Sequence, residues 1–338
     1  MDLKTSYLGL DVKNPLIASS SGLTSSADKV KKLEDNGIGA VVLKSIFEEE
    51  IAYEYSDYIK EASKNGESPK YFEYEGRQNP IDFYGYVIRE ENLQKYTRLI
   101  ENCKKSVDIP VIASINCHFY SSEWIAYARQ LERAGADALE LNMFFLPTNF
   151  SRSREETEKI YFNVIEQVLS KVSIPVSLKI SYFFTDLGPM IQKISETGIK
   201  GLVLFNRFFS PDFDIEKFKV IPSFVMSNPA DLAVSLRWIA VMSQRVGCDL
   251  AASTGVHNGD AVIKQILAGA DAVQVASCLY KNGVGYVKEL LERLDGWMAM
   301  KGFNSIDSFK GKMSQDKNAD TAIYERVQFM KYFGGQKI

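Results

Sequence analysis

Short apolar runs alternate with amphipathic segments along most of the chain. Each run has six or seven residues with little polar alternation, which is typical of strands buried on both faces of a parallel sheet. The eight runs are Pro15–Ser20, Ala40–Ser45, Pro110–Asn116, Ala138–Met143, Pro175–Ile180, Gly201–Asn206, Cys248–Thr254 and Ala272–Ser277. Strands separated by helices call for right-handed crossovers, and eight of them predict one (β/α)8 TIM barrel domain over residues 1–338.

The segments between the runs have the apolar spacing and the end residues of helices. Ser25 or Ser26 is a suitable cap for the first helix, and Gly37 is a suitable stop. The predicted helices are Ser25–Asn36, Glu90–Lys105, Ser122–Arg133, Arg154–Val172, Met190–Thr197, Pro229–Gln244 and Ala261–Gly269. A doubly wound open sheet is the alternative, but no G-x-G-x-x-G motif follows the first strand.

Two connections are long enough to be insertions. Phe47–Pro80 follows the second strand, and Arg207–Asn228 follows the sixth. The first is acidic at Glu48–Glu50, rich in tyrosine and irregular in pattern. A loop of that length in a barrel is usually functional, for example as a lid, although the acidic stretch also suits a solvated turn.

The composition is that of an ordinary globular protein. Of 338 residues, 46% are hydrophobic and 25% are charged, and the formal net charge is -3, which gives no hint of nucleic-acid binding. Met1–Leu10 lacks the basic and apolar regions of a signal peptide, and no later stretch is apolar enough to span a bilayer. We therefore expect a cytoplasmic protein that does not bind membranes.

The cysteines and histidines predict neither a metal site nor an iron–sulfur cluster. No C-x-x-C, H-x-x-H or H-E-x-x-H motif occurs, and the two histidines are His118 and His257. Reduced thiols are expected at Cys103, Cys117, Cys248 and Cys278.

The last two strands end in small residues. Thr254 and Gly255 follow the seventh strand, and Ala276 and Ser277 end the eighth. Small side chains leave backbone N–H groups open to an anion, and barrels often bind phosphate at these two loops. The alternative is tight strand-to-helix packing with no ligand.

Lysines and amides also gather where the strands end. Lys44 and Lys179 are such lysines, and Asn116, Asn142 and Asn206 are such amides. Buried groups of these types need partners, so a planar, anionic, hydrogen-bonding ligand is favoured, and flavin mononucleotide (FMN) is one. A buried ion pair or a snorkelling surface chain remains the alternative for each lysine.

Most of the chain resembles the flavin domain of dihydropyrimidine dehydrogenase and the related dihydroorotate dehydrogenases. The segments that carry the resemblance are NPLIASSSG at Asn14–Gly22, VVLKS at Val41–Ser45, residues Ile112–Asn142, VSLKI at Val176–Ile180, NPADLAVSLRWIA at Asn228–Ala240, LAGADAVQVAS at Leu267–Ser277 and GFNSIDSFKGK at Gly302–Lys312. This resemblance implies an FMN barrel that oxidises a dihydropyrimidine or reduces a pyrimidine.

The resemblance also implies roles for individual residues. Flavin or substrate contacts fall on Ala18, Ser19, Lys44, Ser45, Asn116, Asn142, Lys179 and Asn206, and phosphate contacts fall on Thr254, Gly255, Ala276 and Ser277. Substrate contacts are expected at Asn142, Asn149, Asn206 and Arg207, with Lys44 and Lys179 as electrostatic catalytic groups.

The loop after the fourth strand departs from the family pattern. It reads NMFFLPTN from Asn142 to Asn149, so Leu146 stands before the proline, where the family has a cysteine or serine base. Thr148, Ser151 or Ser153 would have to replace that base if the loop folds back.

Other residues also differ from the family pattern or bear on the substrate. Thr254 replaces a usual glycine, and Arg207 replaces a small hydroxyl residue. Arg207 suits either a substrate carboxylate or a surface salt bridge. The pocket is also expected to be more apolar than a pyrimidine carboxylate needs, because of Phe144, Phe145, Phe208 and Phe209.

Three functions follow as hypotheses. The first is an FMN oxidoreductase of the dihydroorotate or dihydropyrimidine type. The second is a flavoprotein of the same fold that acts on a more apolar substrate or does not turn over dihydroorotate. The third is a phosphate-binding lyase or aldolase that forms a Schiff base on Lys44 or Lys179. The electron acceptor is not identified by the sequence, and barrels of this family commonly pair, so a homodimer is one expected assembly.

Overall fold

The eight apolar runs pair as parallel strands of one closed sheet. The computed structural model describes residues 1–47, 80–116, 123–207, 210–223, 225–318 and 321–325. Its barrel strands, named here the first to the eighth, are Leu16–Ala18, Ala40–Val42, Val111–Asn116, Ala138–Asn142, Val176–Ile180, Gly201–Leu204, Asp249–Ala252 and Ala272–Val275. Each strand pairs with its neighbours in this order, and the eighth pairs with the first. The predicted (β/α)8 TIM barrel is confirmed.

The helices pack around this sheet. Their bounds are Ala27–Asp35, Pro80–Ser106, Glu123–Arg133, Arg154–Leu169, Leu187–Ser195, Leu232–Met242, Gly259–Ala268, Ser277–Asn282, Tyr286–Lys301 and Ala322–Glu325. Three short 3-10 turns add Gly22–Thr24, Pro229–Asp231 and Gln315–Lys317. Ser26 caps the first helix, and Gly269 ends the helix Gly259–Ala268 in the left-handed conformation (φ 118°), as glycine allows.

One helix begins ten residues earlier than its pattern predicts. It starts at Pro80 rather than at Glu90. Proline is favoured in the first helical turn, where its missing N–H would have no partner in any case. The aromatic residues that follow Pro80 have no clear helical spacing, so the sequence pattern did not reveal this first part of the helix.

The hydrophobic core has two layers. The larger layer lies between the sheet and the helices, and the smaller fills the barrel interior. A two-stranded hairpin, Thr5–Tyr7 and Leu10–Val12, was not predicted. It buries Tyr7 and Leu8 against the first residues of the barrel strands, where Ala138, Gly201 and Ala272 are small enough to admit them. The hairpin therefore closes the barrel at the end opposite to the predicted site.

The structure describes the two predicted insertions to different extents. Residues 48–79, with the predicted lid and Glu48–Glu50, lie outside the described residues, as do Cys117, His118, Phe208 and Phe209. The described part of the second contains an antiparallel hairpin, Pro211–Asp214 with Lys219–Pro222.

Within the described ranges, no helix combines the length and the apolar character needed to cross a bilayer. The same ranges contain no group of three metal-ligating side chains.

Candidate active site

A buried polar network crosses the barrel interior near the ends of the strands. The Lys179 Nζ donates hydrogen bonds to Gln274 Oε1 at 2.8 Å and to Ser19 Oγ at 3.1 Å. Gln274 Nε2 donates to Glu140 Oε2 at 2.6 Å, and the other oxygen of Glu140 lies 3.9 Å from Lys179 Nζ. Burial lowers the pKa of Lys179, and the Glu140 carboxylate opposes that shift. The predicted Lys179 thus has a buried partner of opposite charge.

Glu140 and Gln274 are the members of this network that the sequence reasoning missed. Glu140 stands two residues before Asn142, and Gln274 stands two residues before Ala276. Because alternate residues of a strand share a face, both point into the barrel with the predicted strand-end residues. A carboxylate and an amide inside otherwise apolar strands were the signal that could have revealed them.

Two of the predicted asparagines meet above this network. Asn206 Nδ2 donates to Asn142 Oδ1 at 2.8 Å, so the ends of the fourth and sixth strands are joined. The third, Asn116, is half-buried at the end of its strand. This hydrogen bond does not use the Asn142 NH₂ group or the Asn206 side-chain carbonyl oxygen, so the pair can donate to and accept from a planar amide ligand.

A chain of hydroxyl groups fixes the ends of the first three strands. Ser45 Oγ lies 3.0 Å from Ser20 Oγ and 2.7 Å from Ser114 Oγ, and the Ser114 N–H donates to Tyr96 Oη at 3.0 Å. Lys44, next to Ser45, is half-buried, and its backbone N–H donates to the Thr24 carbonyl. This part of the predicted site is held in place by hydrogen bonds of its own.

A cavity of about 500 Å³ opens above the buried network. It lies at the ends of the first, fifth, sixth, seventh and eighth strands. The predicted residues that line it are Ser19, Lys179, Asn206, Arg207, Thr254, Gly255, Ala276 and Ser277. The structure therefore brings eight of the predicted residues to one cavity, and Asn142 reaches it through Asn206.

The turn after the seventh strand adopts the positive-φ backbone that Gly255 predicts. Thr254 and Gly255 both take positive φ, at 75° and 80°. A Cβ atom at Gly255 would collide with the backbone of Asp231 and Leu232. Thr254 adopts a conformation unusual for a β-branched residue and donates its hydroxyl to the Phe205 carbonyl at 3.2 Å. The positive φ at Thr254 thus explains why the resemblance to the family leads one to expect glycine at this position.

Side chains beyond this turn connect the predicted phosphate loops. The Ser227 backbone N–H donates to Ser277 Oγ at 3.0 Å, and Ser227 Oγ lies 3.0 Å from His257 Nε2. Burial lowers the pKa of His257, so the neutral imidazole is favoured. Residues from three separate segments therefore hold the two phosphate loops together.

Arg207 forms a structural ion pair. Its Nη1 lies 2.8 Å from Asp231 Oδ2, and its Nε donates to the Val225 carbonyl at 3.2 Å. The arginine also lines a second cavity of about 430 Å³, which shares Asn206 and Thr254 with the first. Of the two uses considered for Arg207, a salt bridge is present, and contact with a substrate carboxylate stays a prediction.

The loop after the fourth strand lies outside the main cavity. Thr148, Asn149 and Ser151 are exposed, while Ser153 caps the helix Arg154–Leu169. Asn149 lines a third cavity of about 510 Å³, together with Phe145 and Leu146. The structure does not bring these hydroxyl groups to Lys179, and their catalytic roles stay predictions, as do the predicted contacts of Ala18, Lys44, Ser45 and Asn116.

Comparison with known proteins gives one family over nearly the whole chain. The family profile described as dihydroorotate dehydrogenase matches residues 2–298. The catalytic subunit of dihydroorotate dehydrogenase B (NAD(+)) from Thermoplasma volcanium is 26% identical, covering 92% of this chain and 98% of that protein. The chloroplastic dihydropyrimidine dehydrogenase (NADP(+)) of Arabidopsis thaliana is 24% identical over 96% of this chain and 80% of that protein. The chain belongs to the dihydroorotate dehydrogenase family.

Proposed function

We propose that this protein is an FMN-dependent oxidoreductase of the dihydroorotate dehydrogenase type. It would transfer a hydride between a dihydropyrimidine and flavin N5. Enzymes of this family are flavoproteins that act on dihydropyrimidine-type substrates. The observation that carries the proposal is the buried Lys179 ammonium, which lines a cavity of about 500 Å³ at the ends of the strands.

The residues around this cavity fit FMN. Its volume lies within the range of about 300–1,000 Å³ that cofactor sites occupy. Lys179, Ser19 and Asn206 give it a polar wall of donors on one side, and small residues from the last two strands form the other. Gly255, Ala276 and Ser277 would hold the phosphate through backbone N–H groups, and bound FMN would supply the hydride acceptor.

The chain's own residues would bind and orient the substrate and move its proton. A cation at Lys179 stabilises negative charge that develops beside it. The Asn142 and Asn206 amides would orient the pyrimidine, with Asn149 and Arg207 as further contacts. Thr148 or Ser151 would take the proton from the carbon next to the one that loses hydride, once the loop folds over the cavity. Lys44 would add a second positive charge at the second strand.

The electron acceptor of this protein would be a separate molecule. The relatives named above carry NAD(+) or NADP(+) in their names. The sequence shows neither a dinucleotide-binding motif nor iron–sulfur spacing, so a partner protein or a small oxidant would accept the electrons. A cytoplasmic location and a homodimer belong to the same proposal.

The first experiment is the visible spectrum of the purified protein, followed by anaerobic addition of dihydroorotate. A yellow protein that bleaches supports both the cofactor and the substrate class. A colourless protein that does not take up added FMN contradicts the proposal.

An apolar substrate is the second candidate, and the loop after the fourth strand favours it. Phe145, Tyr161 and Phe184 form two edge-to-face ring contacts, each with centroids 5.2 Å apart, beside the third cavity. A yellow protein that dihydroorotate does not bleach supports this candidate. Borohydride trapping of a carbonyl substrate on Lys179 or Lys44, in protein without flavin, would instead support the lyase hypothesis.

A further inference from the structure

We infer that Glu140 is a positioning residue that keeps Lys179 protonated and fixes its ammonium group at the wall of the flavin cavity. The inference rests on the proposed function for what Lys179 does there. The sequence reasoning assigned no role to Glu140 or to Gln274. Both side chains are 1% exposed, which is rare for such groups unless they have partners; Glu140 accepts from Gln274 through one oxygen, and the other oxygen has Lys179 Nζ at 3.9 Å.

The charge of Glu140 needs a partner inside the barrel. A carboxylate inside a barrel is costly unless a cation or several donors compensate it. Lys179, from the fifth strand, faces Glu140 at 3.9 Å. Tyr7, from the N-terminal hairpin, and Tyr96, from the helix Pro80–Ser106, are the other titratable groups that Glu140 influences. Burial mainly, and Glu140 in addition, raise the pKa of each, so both phenols are neutral. Among the described residues, Lys179 is therefore the charge that balances Glu140.

The orientation of the Gln274 amide follows from its contact with Glu140. A carboxylate can only accept, so Gln274 must direct its NH₂ group to Glu140, as the 2.6 Å contact shows. Its carbonyl oxygen then has to face the other way, toward Lys179 and Ser19. The carboxylate thus fixes the Gln274 carbonyl oxygen as one of the two acceptors of the ammonium.

The Lys179 ammonium has more hydrogens than its two acceptors use. Lys179 has three N–H bonds, of which one points to Gln274 and one to Ser19. Lys179 also lines the cavity, and its Nζ makes no third hydrogen bond within the described residues, so a third N–H remains for a ligand there. A lysine held by two fixed acceptors and a nearby carboxylate presents one donor in a defined direction, which a flexible lysine would not do.

The experiment is an NMR titration of the Lys179 ammonium in flavin-free protein with ¹⁵N-labelled lysine, its signal assigned by its loss in Lys179→Met. In Glu140→Gln we expect the pKa of Lys179 to fall by at least about one unit, a tenfold loss of proton affinity. Adding Gln274→Glu to that variant places a carboxylate oxygen where an acceptor now lies 2.8 Å from Nζ, and the pKa should recover. Glu158→Gln, which removes a carboxylate paired with Arg154 on an outer helix, is the matched control and should change nothing at Lys179.

A proton affinity in Glu140→Gln within twofold of the wild-type value would overturn the inference. If that variant does not fold, Gln274→Met keeps the carboxylate and removes the fixed acceptor, so the pKa of Lys179 should fall there as well; an unchanged value counts against the inference. A recovered pKa in the double variant supports it independently.

Flavin-loaded protein separates this inference from the proposed function. Glu140→Gln should lower kcat at least tenfold with KM within about twofold, and the double variant should restore it, because the loss is in electrostatic stabilisation rather than in binding. A protein that does not take up added FMN would contradict the proposed function, while the titration in flavin-free protein still decides the role of Glu140.

Discussion

The polar network inside the barrel and the loop after the fourth strand are both expected to take part in catalysis, yet they are built in opposite ways. Ser19, Glu140, Lys179 and Gln274 are buried and joined by hydrogen bonds of 2.6–3.1 Å. The loop presents Thr148, Asn149 and Ser151 to solvent. The first region already borders the main cavity, and the second does not.

This difference separates the groups that the barrel strands hold in place from the groups that the loop would have to supply. Groups on strands are fixed by the barrel, so the cofactor half of the site can be preorganised. Groups on loops vary in sequence and position, and they decide the substrate. The replacement of the usual base by Leu146, expected from the sequence, would therefore alter the substrate half, while Ser19, Lys179 and Asn206 of the cofactor half line the main cavity.

The largest effect is expected from the exposed hydroxyl groups. Thr148→Val and Ser151→Ala each remove one candidate base, and we expect one of the two to slow anaerobic flavin reduction by dihydroorotate about 10²- to 10⁴-fold. The other variant is its control, since both residues lie on the same exposed loop. Rates within twofold of wild type for both variants would place the base elsewhere.

Removal of Lys179 tests the buried network. Lys179→Ala should slow flavin reduction by about 10²- to 10³-fold, because the cation that stabilises developing charge is lost. It should also lower the free energy of unfolding by about 3–5 kcal/mol, because Glu140 is left buried without its partner. Both are measured, by stopped-flow absorbance and by denaturant unfolding.

Lys171→Ala is the control for that variant, since this lysine is exposed after the helix Arg154–Leu169 and should change stability by less than about 0.5 kcal/mol. An unchanged reductive half-reaction in Lys179→Ala would contradict the role given to Lys179.

The turn after the seventh strand allows a comparison between adjacent positions with similar backbone. Gly255→Ala should destabilise the protein by about 2–4 kcal/mol, because the added methyl group meets the backbone of Leu232 and φ is positive. Thr254→Gly should instead be neutral or stabilise by up to about 1 kcal/mol, because relief of strain exceeds the loss of one hydrogen bond. Denaturant midpoints measure both, and equal losses would show that φ is not what distinguishes them.

The smallest effect is a pH dependence of stability at His257. Because its folded pKa is lowered, the unfolded chain binds the proton more readily as the pH falls through about 6.5. Stability should therefore decrease from neutral pH toward pH 5, and His257→Gln should make that part of the profile flatter. An unchanged slope in this variant would show that other groups cause the dependence.

The strands were predictable because their apolar runs satisfy a simple rule. All eight follow the predicted order, and their ends differ by no more than three residues. The strand-end residues followed from the barrel geometry, since Lys179 and Asn206 do line one cavity. The sequence could not show that Glu140 and Gln274 meet, because their contact joins the fourth and eighth strands and depends on the closed sheet. The conformation of the Thr148 loop likewise depends on long-range packing that a local pattern does not carry.

The N-terminal hairpin sets the order in which this protein can be completed during synthesis. The Leu8 N–H donates to the Asp249 carboxylate at 2.6 Å, so a residue near the start of the chain is satisfied by one 241 positions later. Until the ribosome has delivered the seventh strand, Leu8 has no such acceptor and the buried face of the hairpin has only part of its barrel. We therefore expect nascent chains that stop before Asp249 to expose this apolar face, which makes them clients for chaperones rather than partly folded enzymes.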